Sequence, residues 1–268
     1  MNETDDTGSG PWRMDSHTRA EMRNLAARRS LASGDAARAI LEAEEALDEA
    51  PQDADALLIV AEAELALERP LVARRALAGL TTARAWTLRA EACWGSADLL
   101  GTVEAGCAAL AAGPETAALH DRVGAALERL SGREAEGREH RSRATEMDAA
   151  SFPPPLGLDA RAFETATASA VKRLKGRLAR LWRDVPMRLE PWPTLEDLHS
   201  ESPPLHPDVD ALYEGEPPEP GEGDVRPTAL RLFRRNLDYA ADASEVADRV
   251  FQALVDEGTA WLGDSEPA

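Results

Sequence analysis

The chain has 268 residues, 43% of them hydrophobic and only 4% aromatic, and a formal net charge of −19. That charge argues against nucleic acid, whose phosphates need a basic surface, and against adsorption to anionic membranes. The length leaves room for two modest domains, and many alanines with few aromatics favour close-packed helices over sheets.

The N-terminus is acidic and lacks the apolar core of a secretory signal. No apolar run reaches the length of a transmembrane helix, so the expected location is the cytoplasm. Cys93 and Cys107 form no C-x-x-C pair. They are expected as buried, reduced thiols rather than a disulfide framework.

Residues 1–15 are polar and Gly-rich and are expected to form a disordered tail, with Trp12 docking onto the first helix. From residue 16 to 150 the spacing predicts helical hairpins. Ala27, Ala39 and Ala46 recur at helix-crossing spacing, Gly34-Asp35 supplies a turn and Pro51 closes the unit. A second unit starts near Ala54, with Ala61 at the crossing and Arg69-Pro70 in its turn. It runs short by about five residues against a period of about 34. The third, from Ala83, carries Trp86, Ala90, Ala109 and Pro114. The fourth, from Ala117, has Val123-Gly124 and ends in the charged segment 133–147, which suits a terminal helix with one exposed face.

This pattern resembles tetratricopeptide (TPR) repeats, although a generic alanine-rich bundle also fits it. The resemblance implies an α-solenoid with a concave groove lined by the first helix of each unit. Groove positions are then Asn24, Arg28, Leu58, Glu62, Thr87, Glu91, Trp94 and Asp121, and the groove takes a protein or peptide partner. Trp94 is either an aromatic anchor for that partner or a packing residue between units.

Three prolines in 151–158 predict an extended linker. A helix is expected over 159–184, with Phe163, Ala166, Ala170, Leu174, Leu181 and Trp182 on its apolar stripe. Lys172, Arg173, Lys175, Arg177, Arg180 and Arg183 make it the most basic segment, read as a solvated face. A short strand is expected at 185–189, then a Pro-rich acidic loop over 190–227. His199 and His206 lie in that loop without the spacing of a helical metal pair. A second strand is expected at 230–233 and a final helix at 242–262.

Leu212-Tyr213-Glu214-Gly215, then the segment from Ala229 to Leu237 (A-L-R-L-F-R-R-N-L), then D-E-G-T-A-W-L-G-D-S-E stand in that order. Together they resemble the minimal zincin-like metallopeptidase domain of bacteria. Over 159–268 the resemblance implies a small α+β domain, so that the whole chain is mainly α. In that family H-E-x-x-H places two histidines on one helix face to bind zinc, and the glutamate activates the metal-bound water. Here Asp256, Glu257 and Ala260 occupy those positions. Glu266 stands where the third ligand is expected, and Gly263 matches the turn glycine.

Both histidines are gone, and a catalytic zinc usually has three protein ligands. The expectation is therefore a vestigial motif without catalytic residues, metal or cofactor, with Asp256 and Glu257 at a solvated helix end. Asp256, Glu257 and Glu266 could alternatively hold a hard cation. Gly258 lowers helix propensity by about 1 kcal/mol relative to Ala and reads as looseness. The leading expectation is a non-catalytic adaptor. One alternative is a metallopeptidase with unusual ligands and Glu257 as general base. Another is an assembly factor whose degenerate domain pairs with an intact zincin-like relative.

Overall fold

A computed structural model describes residues 15–218, 225–240 and 242–263. The expected tail, Trp12 and Glu266 lie outside the described residues. The described chain is mainly helical with one three-stranded mixed sheet. It divides into two compact units, Met1–Cys93 with Cys107–Gly113, and Trp94–Gly106 with Pro114–Ala268.

In the first unit the helices are α1 (Ser16–Ala32), α2 (Ala36–Glu49), α3 (Ala54–Ala66), α4 (Pro70–Ala76) and most of α5 (Ala83–Gly95). Aspartates start the first three. Asp15, Asp35 and Asp53 each accept a backbone N–H of the following turn, from Thr18, Arg38 and Asp55; such caps satisfy amides that the helix leaves unpaired. Pro70 opens α4, where its missing N–H costs nothing. At seven residues, α4 is half the length of α2, in the stretch where the sequence spacing runs short.

Bonds from α1 to α2 run Arg19–Glu49, Arg23–Glu45 and Ser30–Glu42. One number falls as the other rises, so the pair is an antiparallel hairpin. Ala27, Ala39, Ala46 and Ala61, the predicted crossing positions, are all 0% exposed, and methyl side chains let the helices approach closely. Ala27, Ala39, Ala43, Ile59 and Ala63 form one core, and Leu58, Ala61, Ala73, Leu77, Ala85 and Ala92 the next.

The second unit starts from the first part of α6 (Leu99–Ala112) and continues through α7 (Ala117–Glu128) and α8 (Glu134–Met147). Glu115–Arg143, His120–His140 and the Gly124–Gly137 contact give α7 and α8 the same antiparallel order. Their backbones nearly touch. A Cβ on Gly137 would lie 2.7 Å from the Glu128 amide nitrogen and 2.8 Å from the Gly124 carbonyl oxygen.

The Pro-rich connection is extended and tied down, with Leu156 N–H donating to the Asp238 carbonyl. Then come α9 (Ala160–Arg173), α10 (Gly176–Leu181), β1 (Met187–Glu190), α11 (Leu195–Leu198), β2 (Ala211–Glu214), β3 (Ala229–Phe233), α12 (Arg234–Leu237) and α13 (Ala243–Leu262). The sheet order is β1-β3-β2, with β1 parallel and β2 antiparallel to β3. β3 is central, and four of its five residues are buried. Phe163, Ala170, Leu181, Trp182, Leu230, Val250, Leu254 and Trp261 fill the core between sheet and helices.

Three expectations are corrected. The helix over 159–184 is broken: Leu174 is extended at ψ 146° and Gly176 has φ +58°, a conformation in which glycine carries no steric cost. The expected loop over 190–227 contains α11 and β2, so Leu212, Tyr213 and Glu214 form an edge strand. Cys93 is buried as expected, but Cys107 is exposed.

The Gly124–Gly137 contact generates a prediction. Replacing Gly137 with Ala raises helix propensity by about 1 kcal/mol, yet forces a methyl group against main-chain atoms that cannot rotate away. Overpacking of this kind costs about 1–3 kcal/mol. Urea denaturation of Gly137→Ala is expected to show a net loss of stability, and an unchanged or higher midpoint would contradict the close approach.

Candidate functional site

Helix α13 carries the positions that resemble a metallopeptidase motif. Asp242 caps it, accepting from the Ser244 and Glu245 amides. Val246, Val250 and Leu254 bury one face, and Gly263 ends the helix at φ +65°. Asp256 is exposed and accepts from the Gln252 amide at 2.8 Å. Ala260 is exposed and offers a methyl group.

Glu257 departs from the expected solvated helix end. It is half-buried, and its Oε2 accepts the Tyr213 backbone N–H at 2.9 Å. The ladder explains why that amide is available. Thr228 donates to Glu214, and Phe233 to Asp210, across the β2–β3 edge. Alternation in an antiparallel pair then turns Tyr213 away from β3. The carboxylate thus satisfies an outward donor of an edge strand. The Tyr213 ring stands edge-on to Trp261, with centroids 5.1 Å apart. Burial pushes the Glu257 carboxyl up to about 7, the nearby Asp256 and Glu201 charges add to this, and the Tyr213 N–H opposes it.

Gly258 is a close-approach position rather than a loose one. A Cβ there would lie 2.6 Å from Leu178 Cδ2 and 2.9 Å from Trp182 Nε1. That indole donates to the Leu254 carbonyl at 2.8 Å. The glycine admits α10 and Trp182 onto α13. Among the described residues, no group of three or more His, Cys, Asp or Glu is arranged to hold a metal ion. His199 bonds the Leu195 carbonyl and His206 lies beside Asp208.

The groove positions divide by unit. In the first, Arg28 pairs with Asp55 at 2.8 Å, joining α1 to α3, and Glu62 pairs with Arg84 at 2.6 Å, joining α3 to α5. Thr87 and Glu91 are partly exposed. Asn24 is buried and donates to Asp53 at 2.7 Å, and Leu58 is a core residue. Neither presents a surface to a partner, because both fill the seam between α1, α3 and their neighbours.

In the second unit Asp121 pairs with Arg141 at 3.0 Å. Trp94 is 1% exposed, which leaves its packing role and removes the exposed anchor. Its Nε1 donates to Asp208 at 3.0 Å, and Arg122 and Arg129 stack over its ring at 4.7 and 4.8 Å.

Arg129 escaped the sequence reading. It donates to the Ala125 and Pro207 carbonyls and to Asn236 Oδ1, and burial lowers its pKa to about 10. Its signal was its position: Arg122, Ala125, Ala126 and Arg129 follow helical spacing on a helix whose residues 123–128 are all buried.

Glu257 makes stability depend on pH. An acid whose folded-state pKa is raised stabilises the fold below about 4.5 and loses that contribution as pH climbs through about 7. Glu257→Gln keeps an oxygen for the Tyr213 amide and removes the charge. We expect the variant to exceed the parent at pH 8 by on the order of 2 kcal/mol, a gap that closes by pH 4 in denaturant titrations. A gap independent of pH would contradict the buried carboxylate. No family model matches the chain, and no curated protein matches it.

Proposed function

We propose that this chain is a non-catalytic protein–protein interaction adaptor. On this reading its hairpins are TPR-like repeats forming a solenoid, and the surface of α1, α3 and α5 is the groove that takes a protein or peptide partner. The C-terminal part is a degenerate zincin-like domain serving as a second binding or structural module, and an intact zincin-like relative is one partner it suits. The observation that carries the reading is the use of Glu257. The one motif carboxylate retained from H-E-x-x-H is committed to the Tyr213 amide, and the histidine positions hold Asp256 and Ala260.

The groove surface is ionic, with Arg28 and Glu62 bridging successive first helices. It suits a polar, charged segment, because exposed charges govern encounter rate and partner choice more than stability. The test is the full-length double variant Glu62→Lys/Glu91→Lys. We expect its thermal midpoint to stay close to that of the parent, and a partner cross-linked to the parent protein in its native cell to be lost. Retention of the same partner by the variant would count against the groove.

One observation favours a second reading, a metallopeptidase with unusual ligands: the Glu257 carboxyl titrates near neutrality, where a general base works best. Zinc-dependent hydrolysis of an unfolded protein, abolished in Glu257→Ala, would establish that reading and displace the first. No hydrolysis by either protein would remove it.

A further inference from the structure

Two adjoining cavities in the second unit concentrate positive charge in an acidic chain. The larger, about 350 Å³, is lined by Arg122, Arg129, Arg141 and Arg249 against two carboxylates, Asp121 and Asp208. The smaller, about 250 Å³, shares Asp121, Arg141 and Tyr239 with it and adds Arg138 and Arg235 against Glu128. Arginine therefore outnumbers carboxylate in each lining, in a protein whose net charge is −19.

Arg129 and Arg141 are held with hydrogen-bonding capacity left over. Asp208 stands 3.6 Å from Arg129, beyond ordinary N–H···O distances. The Arg129 and Arg141 side chains are 4% and 14% exposed. Among the described residues, Arg129 Nε and Arg141 Nη1 are buried without a hydrogen-bond acceptor. A Glu128 carboxylate oxygen is 3.6 Å from Arg141 Nη1.

A buried guanidinium N–H without an acceptor is costly and calls for an explanation such as an ion. Packing has already fixed these side chains. Arg129 is anchored by Ala125, Pro207 and Asn236, Arg249 by Asp210, and Arg141 by Asp121. Pre-set planar donors suit an oxyanion with several acceptor oxygens.

We propose that this arginine-lined cleft binds a small phosphate-type dianion, as the free ion or as the phosphoryl end of a small molecule. The site is independent of the adaptor reading and of Asp256 and Glu257, so either can fail alone. Arg122, Arg141 and Arg249, which are 22%, 14% and 28% exposed, line its accessible wall, while Arg129 supplies charge from behind.

Isothermal titration of the full-length protein with inorganic phosphate, at fixed ionic strength in chloride, tests the proposal. The expected result is saturable binding at one site, tighter than that of malonate, which carries similar charge on a different shape. Arg122→Gln should weaken it about tenfold, the worth of one charge-assisted contact. Ser151→Asp adds a carboxylate at an exposed position of the lining and should weaken it similarly without removing packing. Arg143→Gln, an exposed arginine of α8 outside both linings, should leave it unchanged. Absence of saturable phosphate binding, preference for malonate, or equal binding by the Arg122→Gln and Ser151→Asp proteins would overturn the proposal.

Discussion

The second unit depends on keeping one arginine charged and nearly out of water. Moving a guanidinium into the interior carries a penalty of several kcal/mol unless its donors are met. Arg129 offsets part of it with three acceptors, the Ala125 carbonyl on its own helix, the Pro207 carbonyl and Asn236 Oδ1. Asn236 turns its amide back onto the Pro207 and Val209 carbonyls. Arg249 of α13 grips Asp210 through two bonds. Residues 207–210 are thereby fixed from three sides just before β2 begins at Ala211. The position of β2 places the Tyr213 amide against Glu257. A helix-packing constraint thus runs through one loop to the residue on which the functional reading rests.

That reading follows from what surrounds a motif rather than from the motif alone. A catalytic glutamate needs a free carboxylate beside a ligated metal. Here Glu257 caps an edge strand, Asp256 is bonded to Gln252, and Gly258 is held open for Leu178 and Trp182. Asp256, Glu257 and Gly258 each have a structural task. Edge strands are exposed to unwanted pairing, and a carboxylate on an outward amide closes one such contact. The half-buried charge that results explains the raised Glu257 pKa.

Local signals in the sequence translated well. Pro70 and the alanine crossings depend on neighbours within a turn or two, and they fell where the spacing placed them. The phase of α13, from its Asp242 cap to Gly263, was legible for the same reason. Non-local features were not. β2 is four residues within a Pro-rich, acidic stretch, and its strand character comes from pairing with β3. The break before Gly176 was hidden because the apolar stripe continues in phase from Ala170 through Leu181. Gly258 carried a propensity penalty in the sequence, and only Trp182 packed against it shows its use. Trp94 and Arg129 acquired partners more than seventy residues away, which no window along the chain reveals.

The central claim is that α13 supports a scaffold and not a zinc centre. Elemental mass spectrometry of the full-length protein, purified without chelator, tests it most directly. The account predicts no stoichiometric transition metal. One zinc per chain, lost on substitution of Glu257 and Asp256, would contradict it and make the α13 helix end an active site.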